Sequence, residues 1–137
     1  MERIIVGVDG SEGARRALAW AVAEARAHGA VVDALSAWQA SYSEVPIGVD
    51  VITLIEKAAE RTLASAVDEV DATGVEIRQI LVCGPAAPSL IDESKSADLL
   101  VVGSRGRGGF AGLLLGSVSH HVISHAACPV VIVPAAD

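Results

Sequence analysis

Apolar residues recur along the chain with two different periods. Nearly continuous runs of Val, Ile, Leu and Ala are typical of strands buried on both faces of a parallel sheet, and they occur at 3–8, 31–38, 99–102 and 130–133. Partial alternation of apolar and polar residues predicts a fifth strand over 75–82. Helical spacing of apolar residues predicts helices between Ser11 and Gly29 and over 51–71, and shorter helices are predicted over 86–95 and 117–126.

Single residues mark the ends of these elements. Ser11 is expected to cap the first helix and Gly29 to end it. Pro129 and Pro134 flank the last strand, and because proline donates no backbone hydrogen bond, they favour an edge position in the sheet. Residues 39–50 show no periodicity and are expected to form a loop.

The alternation of strands and helices predicts the fold class. It favours an α/β fold, a doubly wound five-stranded parallel sheet with helices on both faces, Rossmann-like and with right-handed crossovers. The 137 residues suit a single domain over 1–137. Ligands of such sheets bind at the carboxyl ends of strands, where the strand order reverses. The first and fourth strands end at Asp9 and Gly103, so their loops would line one crevice if these strands are neighbours.

A glycine-rich loop between the fourth strand and the last helix predicts an anion site. It has the pattern Gly103-x2-Gly106-x9-Gly116-Ser117 and contains Arg105 and Arg107. Glycine allows a ligand to approach the backbone closely, and the start of a helix offers unpaired N–H groups and a partial positive charge. A phosphate group satisfies both features, which a merely flexible surface loop would not combine.

Two common phosphate-binding motifs are absent. A Walker A motif has lysine directly before its serine or threonine, whereas Ser117 directly follows Gly116. The turn after the first strand lacks the G-x-G-x-x-G fingerprint of dinucleotide-binding proteins. Asp9, in that turn, would repel a phosphate unless a metal ion stood between them. It therefore suits a ribose hydroxyl or Mg²⁺.

These motifs resemble those of the nucleotide-binding subgroup of the universal stress protein family. The glycine pattern matches the motif of that subgroup, and the segments 4–11 and 125–133 match the beginning and end of such domains. The resemblance covers nearly the whole chain and implies an adenine-nucleotide hydrolase-like fold with ATP at the carboxyl edge of the sheet. It also implies a homodimer formed through the last strand, Val130–Val133, as family members commonly have.

The resemblance implies a role for each residue of the site. Asp9 would face the ribose and the Mg²⁺ ion, and the backbone of Ala37 would contact adenine. The loop beneath the ribose and phosphates would consist of Gly103, Arg105 and Gly106. The phosphate chain would be held by Gly116, Ser117, Val118 and Ser119.

The function expected is that of an ATP-binding regulatory protein of the stress response, and two alternatives stay open. One is a slow ATP-hydrolysing or adenylating enzyme, in which Asp9 alone could help to place water or metal. The other is a dimeric docking module that binds another adenine nucleotide, such as cyclic AMP. No catalytic residue is assigned.

Composition and charge argue against several classes of binding partner. The net charge of -7 argues against a nucleic-acid binder. No apolar run resembles a signal peptide or a membrane span, so a cytoplasmic protein without membrane contact is expected. Cys83 and Cys128 form no C-x-x-C motif and are expected to be small buried apolar residues.

Three further side chains are candidate ligand contacts. Trp38 ends the second predicted strand, near the proposed adenine edge, and could contact the base. His121 and His125 are four residues apart on the last helix and could chelate a metal, but two histidines leave a zinc site short of ligands. A solvated or helix-capping role is therefore expected for the histidines.

Overall fold

Strands and helices alternate along the chain as the apolar pattern predicts. The computed structural model describes residues 1–39, 50–106 and 115–135. Most of the loop expected over 39–50, and Arg107, lie outside these ranges. The elements are β1 (Arg3–Gly7), α1 (Glu12–His28), β2 (Val31–Trp38), α2 (Val51–Glu69), β3 (Ile77–Cys83), α3 (Ala86–Ser94), β4 (Leu99–Gly103), α4 (Ser117–His125) and β5 (Val130–Val133).

The five strands form one parallel sheet in the order β3-β2-β1-β4-β5. The central strand β1 pairs with β2 on one side and with β4 on the other, with Ile4 opposite both Val32 and Leu99. The chain therefore builds the sheet outward from β1 in one direction, and then in the other. The predicted adjacency of the first and fourth strands is confirmed, and so is the edge position of the last strand.

Helices cover both faces of this sheet, which confirms the predicted fold class. Leu18 of α1 and Leu63 of α2 belong to an apolar cluster on one face. Leu90 of α3 and Val122 of α4 belong to a cluster on the other face. Successive residues of a strand point to opposite faces, and buried residues fill both clusters, so the central strands must be apolar at nearly every position.

The predicted ends of α1 are confirmed. The Ser11 hydroxyl oxygen accepts a hydrogen bond from the Ala14 amide at 3.1 Å. Gly29 ends the helix with φ 71, a left-handed conformation that favours glycine. In the described part of the chain, no helix is both long and apolar enough to cross a bilayer.

A buried carboxylate joins three strands near the amino end of the sheet. The side chain of Asp33 is 2% exposed and accepts hydrogen bonds from Arg3 of β1 at 2.5 Å and from Arg78 of β3 at 2.6 Å. Burial alone would raise the pKa of Asp33, but the hydrogen bonds and charges of the two arginines outweigh it and hold that pKa below its usual value. This cluster fixes β1, β2 and β3 relative to one another.

The expectation that both cysteines are buried is wrong for Cys83. This residue ends β3, which lies at an edge of the sheet, and it is exposed. Cys128 is half-buried, and its burial, together with the nearby charge of Asp98, raises the pKa of its thiol. An apolar segment identifies a strand but does not indicate which strand lies at the edge.

Candidate functional site

A cavity opens where the loops after β1 and β4 diverge at the switch point of the sheet. It has a volume of about 270 Å³ and lies at the carboxyl ends of the central strands. The structure brings all nine residues expected at a binding site to its lining: Asp9, Ala37, Gly103, Arg105, Gly106, Gly116, Ser117, Val118 and Ser119. That they bind a nucleotide stays a prediction.

One wall of this cavity is apolar and was not predicted from the sequence. Leu35 of β2, Leu90 of α3 and Val102 of β4 line it together with Ala86. Leu90 is 2% exposed overall, so it belongs to the core and to the cavity wall at once. Leu90 belongs to the buried apolar cluster on this face of the sheet. Only the folded structure shows that it also faces a cavity. Trp38, by contrast, is not among the described residues of the lining.

Two backbones cross in close contact beneath the cavity. A Cβ atom on Gly13 would lie 2.6 Å from the carbonyl oxygen of Arg105, and one on Gly103 would lie 2.8 Å from the carbonyl carbon of Gly13. Either distance is shorter than any ordinary contact of a Cβ atom. The first turn of α1 can therefore pack against the loop after β4 only because both positions are glycine.

Asp9 stands between these two loops. Its Oδ1 atom accepts a hydrogen bond from the Ser11 amide at 2.9 Å. Its Oδ2 atom faces the second loop, since a Cβ atom on Gly106 would lie 2.5 Å from it. The carboxylate is thus held at the cavity lining by the turn it belongs to and lies against the glycine-rich loop.

The two described ends of the glycine-rich loop are tied together by hydrogen bonds. The Ser104 carbonyl accepts from the Gly116 amide at 2.6 Å and from the Ser119 hydroxyl at 3.0 Å. The same hydroxyl lies 3.0 Å from the Gly116 carbonyl. Ser119 is 2% exposed, and its hydroxyl hydrogen is directed to loop carbonyls, so in this structure it positions the loop. Its predicted contact with phosphate stays a prediction.

The start of α4 faces the cavity with its backbone donors. Gly116 is the N-cap, and within the described residues no side chain caps this end of the helix. The next three residues, Ser117, Val118 and Ser119, line the cavity, and the side chain of Ser117 is exposed. An uncapped helix start carries unsatisfied N–H groups and the positive end of the helix dipole. This arrangement can bind an anion.

The side chains at the site are poor in metal ligands. Within the described ranges there is no group of three or more His, Cys, Asp and Glu residues that could hold a metal ion. Mg²⁺ is commonly bound through one or two carboxylates together with the phosphates of a substrate. Asp9 fits that pattern.

The fold and the cavity together define a class of protein. It is a doubly wound α/β protein whose cavity lies at the switch point of the sheet, between an apolar wall and an uncapped helix start. The model of the universal stress protein family matches residues 1–134. The chain belongs to this family, which confirms the resemblance found in the sequence; its place in the nucleotide-binding subgroup stays a prediction.

Individual relatives agree with this assignment. The chain is 38% identical over 132 residues to the universal stress protein Rv2005c of Mycobacterium tuberculosis, an alignment that covers 94% of this chain. The chain spans 44% of the length of that relative.

Solved structures show the same fold. Universal stress protein UspA from Lactobacillus plantarum superposes with a TM-score of 0.83 at 24% identity, over 96% of this chain and 97% of that protein. A universal stress protein in complex with cAMP superposes with a TM-score of 0.62 at 29% identity, over 96% of this chain and 95% of that protein.

Proposed function

We propose that the cavity binds an adenine nucleotide, with ATP and Mg²⁺ as its ligand, and that the bound nucleotide regulates the protein in a stress response. The observation that carries this proposal is the cavity itself, where an apolar wall meets an uncapped helix start. A nucleotide has two parts that match these two surfaces, a flat and weakly polar base for the apolar wall and anionic phosphates for the helix start.

The dimensions of the cavity suit this ligand. Pockets that enclose small ligands measure roughly 300–1,000 Å³, and this cavity, at about 270 Å³, lies just below that range, so we place only the base and sugar inside it. In the proposed pose the base lies against Leu35, Leu90 and Val102, within reach of the backbone of Ala37. The phosphates then lie at the start of α4, where backbone N–H groups are available.

Mg²⁺ would link the phosphates to Asp9. The carboxylate cannot approach a phosphate directly because both are negative, and a divalent cation between them removes the repulsion. This role of Asp9, unlike its expected contact with the ribose, applies only to ligands that carry a metal-bound phosphate chain.

Binding is favoured over rapid turnover. Among the described residues of the lining, only Asp9 and Arg105 carry a charge. Hydrolysis needs a group that orients or deprotonates water and groups that stabilise the developing charge. A single carboxylate that already binds Mg²⁺ is poorly suited to orient or deprotonate water. ATP hydrolysis by this chain should therefore be slow or absent. Phosphate release well above that of buffer, and lost in Asp9→Ala, would show instead that the protein is an ATPase.

Cyclic AMP is a second candidate ligand. The relative that was solved with cAMP is 29% identical to this chain over nearly its whole length, and cAMP would use the same apolar wall. Because its single cyclic phosphate needs no Mg²⁺, its binding should be independent of Mg²⁺.

Calorimetry on the purified chain separates these ligands. ATP with Mg²⁺, AMP and cAMP are titrated into the wild type and into Asp9→Asn, a variant that keeps the hydrogen bond from the Ser11 amide. We expect binding of ATP that depends on Mg²⁺ and falls at least about tenfold in the variant, since one lost charge-assisted contact is worth about 1.5–3 kcal/mol. Mass spectrometry of nucleotide released from the native protein gives an independent identification. No released nucleotide and no heat with any of the three ligands would overturn the proposal.

We also propose that the chain forms a homodimer through β5. This strand lies at the edge of the sheet, and an edge strand offers unpaired backbone groups to a second copy. Light scattering at several protein concentrations, with and without ATP, tests the dimer, and a constant monomer mass would refute it.

A further inference from the structure

Two histidines lie together on α4, His121 in the middle of the helix and His125 at the end that is farthest from the cavity. His121 and His125 are one helical turn apart and both are exposed. The centroids of their imidazole rings are 4.8 Å apart, and the ring planes are inclined by 38°. Two imidazoles at this separation on one helix face are close enough to share a single bound ion.

The hydrogen bonding of His125 defines which of its ring nitrogens is available. Its Nδ1 atom lies 3.1 Å from the backbone carbonyl oxygen of His121. A carbonyl oxygen can only accept, so Nδ1 carries a hydrogen, and in the neutral imidazole Nε2 is then the nitrogen with the lone pair. Metal-bound histidines typically have their second ring nitrogen bonded to a carbonyl or carboxylate, which fixes the tautomer and the ring orientation. His125 has this second contact already in place.

We propose that His121 and His125 form a bidentate site for a late first-row divalent cation, of which Ni²⁺, Cu²⁺ and Zn²⁺ are the members that imidazole suits best. Water fills the remaining coordination positions. No third His, Cys, Asp or Glu joins the pair to complete a group within the ranges the structure describes, so this is an open site and not a structural zinc centre. The sequence alone shows that the pair is short of ligands for zinc. The ring geometry favours the two-ligand site instead.

The other two histidines provide the contrast. His120 precedes the pair by one residue on the same helix, which turns its side chain about 100° away from that of His121. His28 is bonded to Glu24 at 3.0 Å on α1. His120 is therefore a matched control, with the same side chain and a similar exposure on the same helix.

Calorimetric titration with Ni²⁺ tests the site. The full chain is used in a Cys83→Ser background, because an exposed thiol could bind the metal on its own. We expect one Ni²⁺ per chain. His121→Gln and His125→Gln each remove a direct metal ligand, so each should weaken Ni²⁺ binding by at least the roughly 10–100-fold that is typical when a residue supporting such a ligand is lost. His120→Gln should bind like the parent, and circular dichroism should show that all variants keep their helix content.

Three results would overturn the proposal. The first is the absence of Ni²⁺ binding by the parent. The second is an equal loss in His120→Gln, which would indicate nonspecific binding to exposed histidines. The third is full binding by His121→Gln, a variant that keeps His125 and so leaves the end of the helix unchanged.

Discussion

Replacing Gly13 by alanine tests whether the two loops of the cavity are held by direct backbone contact. The added Cβ atom would lie 2.6 Å from the Arg105 carbonyl oxygen, and ordinary contact begins at 3.4 Å. The loop after β4 or the first turn of α1 must therefore move by about 0.8 Å. The obstacle is backbone and not the end of a flexible side chain, so no rotamer change can relieve it.

The magnitude follows from two opposing effects. Overpacking of a tight contact costs about 1–3 kcal/mol, whereas alanine in place of glycine within a helix contributes up to about 1 kcal/mol of stability. A net loss of about 1–2 kcal/mol in the free energy of unfolding is expected. In a chain of this size it lowers the melting temperature by roughly 3–8 °C. Movement of Arg105 should also cost one contact with the ligand, or about tenfold in ATP affinity.

Thermal denaturation and ATP calorimetry measure these two effects. Ala23→Gly is the matched control, because Ala23 is exposed on the same helix and the exchange reports the helix-forming difference between the two residues without any new contact. If Gly13→Ala gains the stability that the control loses, and binds ATP as tightly as the wild type, the two backbones do not constrain each other and the reasoning is refuted.

Three other predictions concern single side chains. Asp33→Asn should lower the free energy of unfolding by about 1.5–3 kcal/mol, because Arg3 and Arg78 lose the charge of the buried carboxylate between them. Since folding lowers the pKa of Asp33, its contribution is present above the unfolded value of about 3.9 and is lost as the pH falls through the folded value, so urea titrations of variant and wild type should converge in acid. Iodoacetamide should label Cys83 in the native protein and Cys128 chiefly after unfolding, as peptide mass spectrometry would show; equal rates would contradict this. Ser119→Ala should lower stability by about 1 kcal/mol by removing its bond to Ser104, and a loss of ATP affinity without a loss of stability would mean that the hydroxyl contacts phosphate instead.

The order and type of the elements could be predicted because strands that are buried on both faces of a sheet are nearly continuous apolar runs in the sequence. β2 and β5 have the bounds that the apolar runs predict, and the remaining predicted ends differ from the structure by two residues or fewer where the elements can be compared. Val8 is an example: it follows β1 and is buried, and its amide still donates to the Leu35 carbonyl of β2 at 2.8 Å, although it no longer belongs to the strand.

The unpredicted features all depend on contacts between distant segments. Asp33 lies within an apolar run and gives no sign that Arg3 and Arg78 will surround it from two other strands. Cys83 was expected to be buried because it adjoins an apolar segment, and its exposure depends on the position of β3 in the sheet. Gly13 lies in the first turn of α1, and the sequence does not indicate why glycine is needed there, because the carbonyl group that it accommodates comes from Arg105, far along the chain.

The candidate site could nevertheless be located from the sequence because the side of the cavity that faces the start of α4 is rich in glycine. A backbone site requires glycine wherever two segments approach closely, and glycine spacing can be read without knowing the contacts. For the same reason, the sequence does not indicate whether the site is catalytic. Catalytic groups are side chains, and of the described lining residues only Asp9 and Arg105 are charged. If the proposed function is right, N–H groups would hold the phosphates and leucine and valine would cover the base, which suffices to bind a nucleotide but supplies few of the groups needed to cleave one.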